Sequence, residues 1–516
     1  MLQNIKPRGY QEAILQTALK HNTLVVLPTG IGKTLIALML SIERQKQFAG
    51  KILFLAPTRP LAMQHLEYFK KHLPGLYGDM QLFTGKVNAG KRKEIWQKAD
   101  LVFSTPQCVA NDLRNSLYSL EDVVLLIEDE SHRCLKSYDY VYVADVYIKQ
   151  ARNQRILGLT ASPGSEMSVI KDICNNLHID AVEARTRESD DVKSYLQELK
   201  TRIIRVELPE AFKDIRKNFE DIFGRKIEEL KNRKLLFQPP TKKNLLELQG
   251  RIMRAIGSGN KHFNLLKGAS VGAQAIKIQH ALELIETQGI ASLHNYLQDL
   301  FGQAEQKKSR AAVQLVQQAE FSRAYIQTTE LLARNIEHPK LSALKEIVEN
   351  DMKENGKARI IVFSQYRDTI TTICRELNKI DGVNAKVFIG QARRDEGGLT
   401  QKEQQGIIKE FKEGKINILV ASSIGEEGLD LPEVNAVIFY EPVPSAIRKI
   451  QRQGRTARLM PGKLVILITR KTRDESYHYA SLAKERKMHG ILRDLSENFR
   501  KKSSKNIRQK GINEFV

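Results

Sequence analysis

Short, unbroken apolar runs recur through the first 190 residues, at Leu24 to Leu27, Ile52 to Ala56, Leu101 to Phe103, Val123 to Ile127 and Ile156 to Leu159. Segments with apolar residues at helical spacing separate them. Strands buried on both faces of a parallel sheet read in this way, as continuous runs rather than as alternating apolar and polar positions. A second set follows at Ile360 to Phe363, Ala385 to Phe388, Ile418 to Ala421, Ala436 to Tyr440 and Leu464 to Ile468. Between the two sets, apolar residues recur at helical spacing and proline is absent from Thr241 to His338. The pattern predicts an α/β chain with two parallel-sheet domains and an all-helical insert between them. The boundaries drawn from it are 1–190, 191–335 and 336–485, with a basic tail at 486–516. The two α/β units repeat an architecture and not a sequence, because they carry different motifs.

Length agrees with this division: 516 residues at roughly 150 per domain leave room for about three domains. Charge narrows the partners. Lys and Arg number 82 against 60 Asp and Glu, a net +22, which implies a polyanion, either nucleic acid or an anionic membrane surface. No stretch approaches the roughly 20 apolar residues that cross a bilayer, and the N-terminus MLQNIKPRGYQ lacks the apolar core of a signal peptide. A soluble, non-exported protein with no membrane partner is therefore expected in the cytoplasm. Cys108, Cys134, Cys174 and Cys374 stand singly, so neither a zinc site nor a disulfide framework is indicated. The insert opens with Lys213, Arg216, Lys217, Arg225, Lys226, Lys231, Arg233, Lys234, Lys242 and Lys243. These cations fit either solvated helix faces or a surface turned toward nucleic acid. From about Arg500 the chain is basic and polar, and a flexible tail is expected.

The chemistry begins after the first apolar run, with Pro28-Thr29-Gly30-Ile31-Gly32-Lys33-Thr34 leading into a helical segment. In such a loop Thr29, Gly30 and Gly32 let backbone N–H groups wrap the phosphates of ATP. Lys33 reaches the β- and γ-phosphates, and Thr34 offers a hydroxyl to Mg²⁺. The strict pattern asks for glycine where this chain has Leu27, so the match is to the variant PTGxGKT. At the end of the run Val123 to Ile127 comes Glu128-Asp129-Glu130-Ser131-His132. Two carboxylates at a strand terminus can divide labour: Asp129 holds the metal and Glu130 polarises the attacking water. The second α/β unit supplies Gln451-Arg452-Gln453-Gly454-Arg455-Thr456-Ala457-Arg458. Arg455 and Arg458 can reach across a cleft to the γ-phosphate, with Gln451 beside it. A plain basic patch is the alternative for that run alone.

These three pieces, in this order across two α/β units, resemble the superfamily 2 helicases and translocases, which have two RecA-like motor domains. Further segments fit the resemblance over residues 6 to 470. Arg8-Gly9-Tyr10-Gln11 is similar to the adenine-reading Q motif, which implies base contacts from Arg8 and Gln11. Ala56-Pro57-Thr58-Arg59-Pro60-Leu61, Thr84-Gly85 and Ser104-Thr105-Pro106-Gln107 look like motifs Ia, Ib and Ic. Thr160-Ala161-Ser162 looks like motif III, which with His132 is implied to couple hydrolysis to movement. Phe363-Ser364-Gln365-Tyr366 matches motif IV, and the segment from Ala421-Ser422 to Gly428-Leu429-Asp430 matches motif V. The resemblance implies nucleic-acid contacts from Pro57, Thr58, Arg59, Gly85, Thr105, Pro106, Gln365 and Ser422, made to the backbone rather than to bases. It implies nucleotide contacts from Gly428 and Asp430.

The helical insert, Leu159 to Gly164, Glu426 to Asp430 and Tyr440-Glu441-Pro442-Val443-Pro444-Ser445 most resemble the archaeal Hef helicases, relatives of the Fanconi anaemia group M translocases. That resemblance implies an ATP- and Mg²⁺-dependent DNA helicase or translocase acting on stalled forks and four-way junctions, and association with the nucleoid. The usual DEAH box ends Ser131-His132 here, and Ala457 stands in the usual GRTGR, changes that leave every ionisable group in place. Hef proteins often add a nuclease with an ERKxxxD signature. Glu485-Arg486-Lys487 matches its start, but Ile491 replaces the aspartate, so no nuclease activity is expected in this chain and a separate nuclease subunit is a possible partner. The final residues, with Gln509, Ile512, Phe515 and Val516, are similar to a sliding-clamp binding peptide, against the alternative of a chance match in a basic tail. Two other functions compete: the same motor on double-stranded RNA, as in the related RNA motors, and a non-catalytic junction-binding scaffold tethered to a clamp. The complete hydrolytic set argues against the scaffold.

Overall fold

The computed structural model describes residues 2–75, 77–85, 87–260, 262–390, 398–425, 431–457 and 460–513, the last of these from 500 onward as backbone only. Its first sheet contains β1 (Thr23–Val26), β2 (Lys51–Leu55), β3 (Met80–Leu82), β4 (Leu101–Ser104), β5 (Val123–Asp129), β6 (Ile156–Thr160) and β7 (Ala181–Ala184). The seven strands run parallel in the order β3-β4-β2-β5-β6-β1-β7. The second sheet contains β8 (Leu199–Val206), β9 (Ile360–Phe363), β10 (Ala385–Phe388), β11 (Ile418–Ala421), β12 (Ala436–Phe439) and β13 (Gly462–Thr469). These too are parallel, in the order β10-β11-β9-β12-β13-β8. Each of the ten apolar runs forms a strand, and most are buried along their length, as expected of strands covered by helices on both faces.

Three strands escape the pattern, and all stand at sheet edges. β3 is three residues long, and β7 is buried only at its centre. β8 lies at a sheet edge with Lys200, Thr201, Arg202 and Arg205 exposed; charges on an edge strand discourage pairing with another chain. β8 also corrects the insert's boundary, because residues 199–206 belong to the second sheet although they precede the insert. The helical part begins at Glu210 and continues through helices Glu210–Asn232, Lys242–Gly257, Phe263–Thr287, Ile290–Glu305, Arg310–Val316 and Ala319–Ala333. Phe212, Ile215, Phe219 and Ile222, spaced by three and four residues, share one face of the first of these. They pack with Ile278, Leu282, Ile285, Leu293 and Phe321.

The insert is fastened to the second sheet's domain. Ser292 and Thr369 hydroxyls meet at 3.0 Å, and Tyr440 Oη donates to the Gln288 carbonyl. Beneath this junction Lys340 Nζ donates to Asp474 at 2.9 Å with both side chains fully buried. Asp474 stands at the start of a long helix, Arg473–Asn513.

That helix overturns the expectation of a tail from 486 onward. Met488, Ile491, Leu492 and Leu495 are buried in the core of the first sheet's domain, beside Ile170, Ile173 and Val182. Positions 488, 491, 492 and 495 form an i, i+3, i+4, i+7 stripe, whose signal is diluted by the surrounding charge. The helix thus begins on the second domain and docks on the first. Among the described residues no helix is long and apolar enough to cross a membrane. All four cysteines are unpaired, and burial raises the pKa of each thiol.

Docking of the helix predicts a stability effect that a free tail would not show. Leu492→Ala should cost about 2–5 kcal/mol in urea unfolding, as for other buried leucines, whereas a change within a solvated tail stays within about 0.5 kcal/mol.

Candidate functional site

Register places the chemistry. β1 pairs with β6 so that Val26 faces Thr160, and β5 pairs with β6 so that Asp129 faces Leu159. The loops leaving the three central strands therefore open side by side. After β1 the chain turns through Gly30 at φ +87° and Gly32 at φ +89°, a left-handed conformation that glycine adopts without steric cost, and enters the helix Lys33–Gln47. Gly32 is constrained a second way: a Cβ there would lie 2.3 Å from the Gln11 amide nitrogen. That amide sits 3.4 Å from the carbonyls of Ile31 and Gly32, while Arg8 N–H donates to the Gln11 carbonyl oxygen at 2.9 Å. Tyr10 Oη donates to the Ile31 carbonyl, and Arg8 lies over the ring of Tyr195. The structure therefore joins Arg8 and Gln11 to the phosphate loop. Lys33 Nζ donates to the Leu27 carbonyl at 2.9 Å.

At the end of β5, Asp129 is buried and accepts a 2.8 Å hydrogen bond from His65 Nε2. Burial pushes its carboxyl up, but the bond from His65 and the charges of His65 and Lys33 outweigh burial and hold it below the usual carboxylate range. Glu128, one residue earlier, is fully buried, and burial raises it well above that range, which favours the protonated acid. The strand end therefore presents Asp129 as its ionised carboxylate, with Glu130 the next residue along the chain. Glu130 has φ +51°, a left-handed conformation that costs a non-glycine residue about 1–2 kcal/mol. Its carboxylate lies 3.2 Å from His132 Nδ1, which also lies 3.2 Å from Thr160 Oγ1. Thr160 Oγ1 in turn donates to the Ser162 carbonyl at 3.1 Å, and Ser162 Oγ donates to Met488 Sδ at 2.9 Å. A line of polar contacts thus runs from His132 through Thr160 and Ser162 to the C-terminal helix, with the Glu130 carboxylate beside its start.

From the second domain the helix Ala446–Gln453 ends against the phosphate loop. A Cβ on Gly454 would lie 2.5 Å from the Cβ of Thr29, and Arg187 donates to the Ala457 carbonyl across the cleft at 3.1 Å. Gln451 and Arg455 are buried next to this contact. Arg458, Gly428 and Asp430 lie outside the described residues. Arg452 is fully buried over the rings of Phe363 and Phe439. Near it Glu441 accepts hydrogen bonds from Gln365 N–H at 2.7 Å and Ser364 Oγ at 3.1 Å.

The residues expected to face nucleic acid stand where strands of both sheets end. Pro57, Thr58 and Arg59 follow β2, Gly85 follows β3, Thr105 follows β4, Gln365 follows β9 and Ser422 follows β11. Thr58 and Gly85 are exposed, and Arg59, Thr105, Gln365 and Ser422 are partly exposed. Pro106 is buried as the first residue of the helix Pro106–Arg114, so it shapes that loop instead of offering a surface; proline at a helix start has its φ preset and loses no donor the helix needs.

Known families match the same three regions. The DEAD/DEAH box helicase model covers residues 8–170 and the helicase conserved C-terminal domain 339–460, and the model described as "Putative ATP-dependent RNA helicase, helical bundle" covers 211–338. The crystal structure of the Pyrococcus furiosus Hef helicase domain is 40% identical, with a TM-score of 0.70, over 92% of this chain and 98% of that one. The chain is a Hef-type superfamily 2 helicase. Two curated relatives of this helicase agree in family and differ in the nucleic acid that their names give. The "Putative ATP-dependent RNA helicase MJ1505" of Methanocaldococcus jannaschii is 37% identical over 95% of this chain and 61% of its own length. The "ATP-dependent DNA helicase mph1" of Neurospora crassa is 34% identical over 92% and 42%. The chain thus spans under two thirds of the length of these relatives.

Four contacts of the Hef-type site had no signal in the sequence. His65 and Tyr140, which hold the Asp129 carboxylate and carbonyl, come from helices with no local motif. Met488 lies in a segment whose composition is that of a tail. Tyr10 stands inside the Q motif, but its bond to Ile31 needs the fold. For Glu441, burial pushes the carboxyl up to about 7 against the pull of Arg452 and Lys340. The folded protein holds this proton up to about pH 7, while the unfolded chain releases it near 4.5. The stability it supplies is therefore complete below about pH 4.5 and lost as pH rises through about 7, at most about 3 kcal/mol. Melting temperature should fall between about pH 5 and 8, and Glu441→Gln, which keeps the shape without the proton, should flatten that fall.

Proposed function

We propose that this Hef-type helicase is an ATP- and Mg²⁺-dependent motor that remodels forked or branched DNA, acting at stalled replication forks and four-way junctions in repair, in the cytoplasm at the nucleoid. The match to the Hef helicase domain over nearly all of that structure is the observation that carries the reading. In it Lys33 and the loop Thr29 to Gly32 hold the phosphates, with Arg8 and Gln11 on the adenine. Glu130 accepts the proton of the attacking water, while Gln451, Arg455 and Arg458 neutralise charge that builds on the γ-phosphoryl. His132, Thr160 and Ser162 carry the change at Glu130 to the domain interface. An ionised buried carboxylate at Asp129 and the Thr34 hydroxyl are a donor set suited to Mg²⁺ and would hold it there. When bound, the ion supplies charge neutralisation at the phosphates. Backbone contacts from Thr58, Arg59, Gly85, Thr105, Gln365 and Ser422 support binding without sequence preference.

Double-stranded RNA is the second reading, favoured by the name of the Methanocaldococcus relative and by that of the helical-bundle model, both of which specify an RNA helicase. A clamp contact through Gln509, Ile512, Phe515 and Val516 belongs to the proposal as well, as does a nuclease on a separate subunit. Gln509 and Ile512 fall on the backbone of the C-terminal helix, whereas Phe515 and Val516 lie outside the described residues.

ATPase rate should rise most with a model fork or four-way junction in a panel that also holds single strands, plain duplex and double-stranded RNA. Strongest stimulation by RNA would move the motor to the second reading. Lys33→Ala and Glu130→Gln should each lower the stimulated rate by about a hundredfold or more while fork binding persists. Deleting residues 509–516, beyond the docked stripe, should abolish binding to a sliding clamp and spare the ATPase; retained clamp binding would sink that assignment.

A further inference from the structure

The part of the insert built around its smaller core, residues 231–267, combines two properties that surfaces rarely share. Phe237 is 80% exposed, Phe263 72%, Met253 54%, Leu246 51% and Leu266 46%, so five large apolar side chains face water within thirty residues. They are not loosely held. A small core of Leu230, Leu236, Leu248, Ile252 and Val271 lies beneath them. Arg233 and Asn264 exchange two hydrogen bonds, each of 3.2 Å, and Arg251 donates to the Leu235 carbonyl at 2.9 Å. These bonds fasten the loop carrying Phe237 to the helix that starts at Phe263 and to the helix carrying Leu246 and Met253. Pro239 and Pro240 stiffen the loop after Phe237, and the Pro239 carbonyl accepts from Asn244. On the helix Lys242–Gly257, Leu246 and Met253 are seven residues apart and thus on one face, with Gly250 between them open to space.

The second property is charge. Residues 231–267 contain nine Lys and Arg against one carboxylate, Glu247, so 9 − 1 gives +8. A second copy of the chain would bring the same charge to the contact and is disfavoured. A polyanion is attracted, but the backbone of a paired duplex has no use for exposed aromatic rings, because the faces of its bases are covered by their neighbours. Unpaired bases offer both partners: phosphates for the cations, and π faces that stack on aromatic side chains without sequence preference.

We infer that this part of the insert is a stacking surface for unpaired bases at the branch point, with Phe237 and Phe263 as its platforms and Leu246, Met253 and Leu266 as its apolar flank. The inference rests on the branched-substrate reading and names what the insert would recognise there: the unpaired nucleotides themselves. Both rings are so exposed that their removal leaves the fold intact.

The test uses the full chain and a DNA fork with 2-aminopurine among unpaired bases at the branch, beside a fully paired duplex of the same length. Wild-type protein should quench the analogue. Phe237→Ala/Phe263→Ala should abolish the quench and weaken fork binding about tenfold or more, with duplex affinity changed less than about twofold. Phe237→Tyr/Phe263→Tyr should restore both. Equal losses on fork and duplex, or no loss at all, overturn the inference while the branched-substrate reading stands. Wild-type protein that binds neither DNA overturns both. Vesicles containing phosphatidylserine form the last arm, because basic and aromatic surfaces also suit anionic membranes. Loss of vesicle binding with fork binding unchanged would assign this surface to a membrane and overturn the inference.

Discussion

Parallel pairing of β6 with both β1 and β5 is the constraint on which the rest of the site depends. Because all three strands run in one direction, their C-terminal ends open on the same crevice, the place where open α/β sheets hold ligands. The register is close enough that Val26 meets Thr160 and Asp129 meets Leu159. A phosphate loop, an acidic pair and the segment Thr160 to Ser162 thus share a few ångströms of sheet edge without being near in sequence. Side-chain bonds then refine what register supplies. The Gln11 amide can come within reach of the loop carbonyls only because residue 32 has no Cβ, and the helix bearing Gln451 can reach Thr29 only because residue 454 has none.

Much of this was legible beforehand, for physical reasons. A strand covered on both faces must be apolar throughout, so the nine interior runs announce themselves. A loop that wraps phosphate needs glycines at fixed spacing before a helix, so its residues can be numbered from the sequence. Edge strands are not bound by that rule: β3, β7 and β8 gave no comparable signal, and β10, the fourth edge, was legible only because three of its four residues are apolar. β8 shows the cost: the chain enters the second sheet before it leaves for the insert, and composition alone placed the boundary too early.

The C-terminal helix escaped the pattern for a different reason. Its average composition is that of a tail, but burial depends on which side of a helix carries the apolar residues, and Met488, Ile491, Leu492 and Leu495 fall on one side. His65 was illegible in principle, since only tertiary packing brings it to a carboxylate 64 residues away. The same holds for Ser162 and Met488, which are 326 residues apart in the chain. Local motifs name the groups that do chemistry, whereas the groups that orient them are set by packing.

The root of that helix shows how the two domains share one element. Lys340 and Asp474 form a wholly buried pair, and burial raises the Asp474 carboxyl even with the lysine beside it. Desolvation therefore outweighs attraction, in keeping with the small or negative net stability of many buried ion pairs. The pair's value lies in direction: Asp474 also accepts from Thr469 N–H at 2.9 Å, so one carboxylate ties the end of β13, the helix Pro339–Glu354 and the first turn of the C-terminal helix together. The apolar stripe further along the helix supplies the stabilisation that the pair does not, at roughly 1.5–3 kcal/mol per buried side chain, and it does so on the other domain. A helix aimed by the second domain and held by the first must accommodate any change in the cleft between them, and the Ser162 to Met488 contact places the end of the polar line from His132 against it.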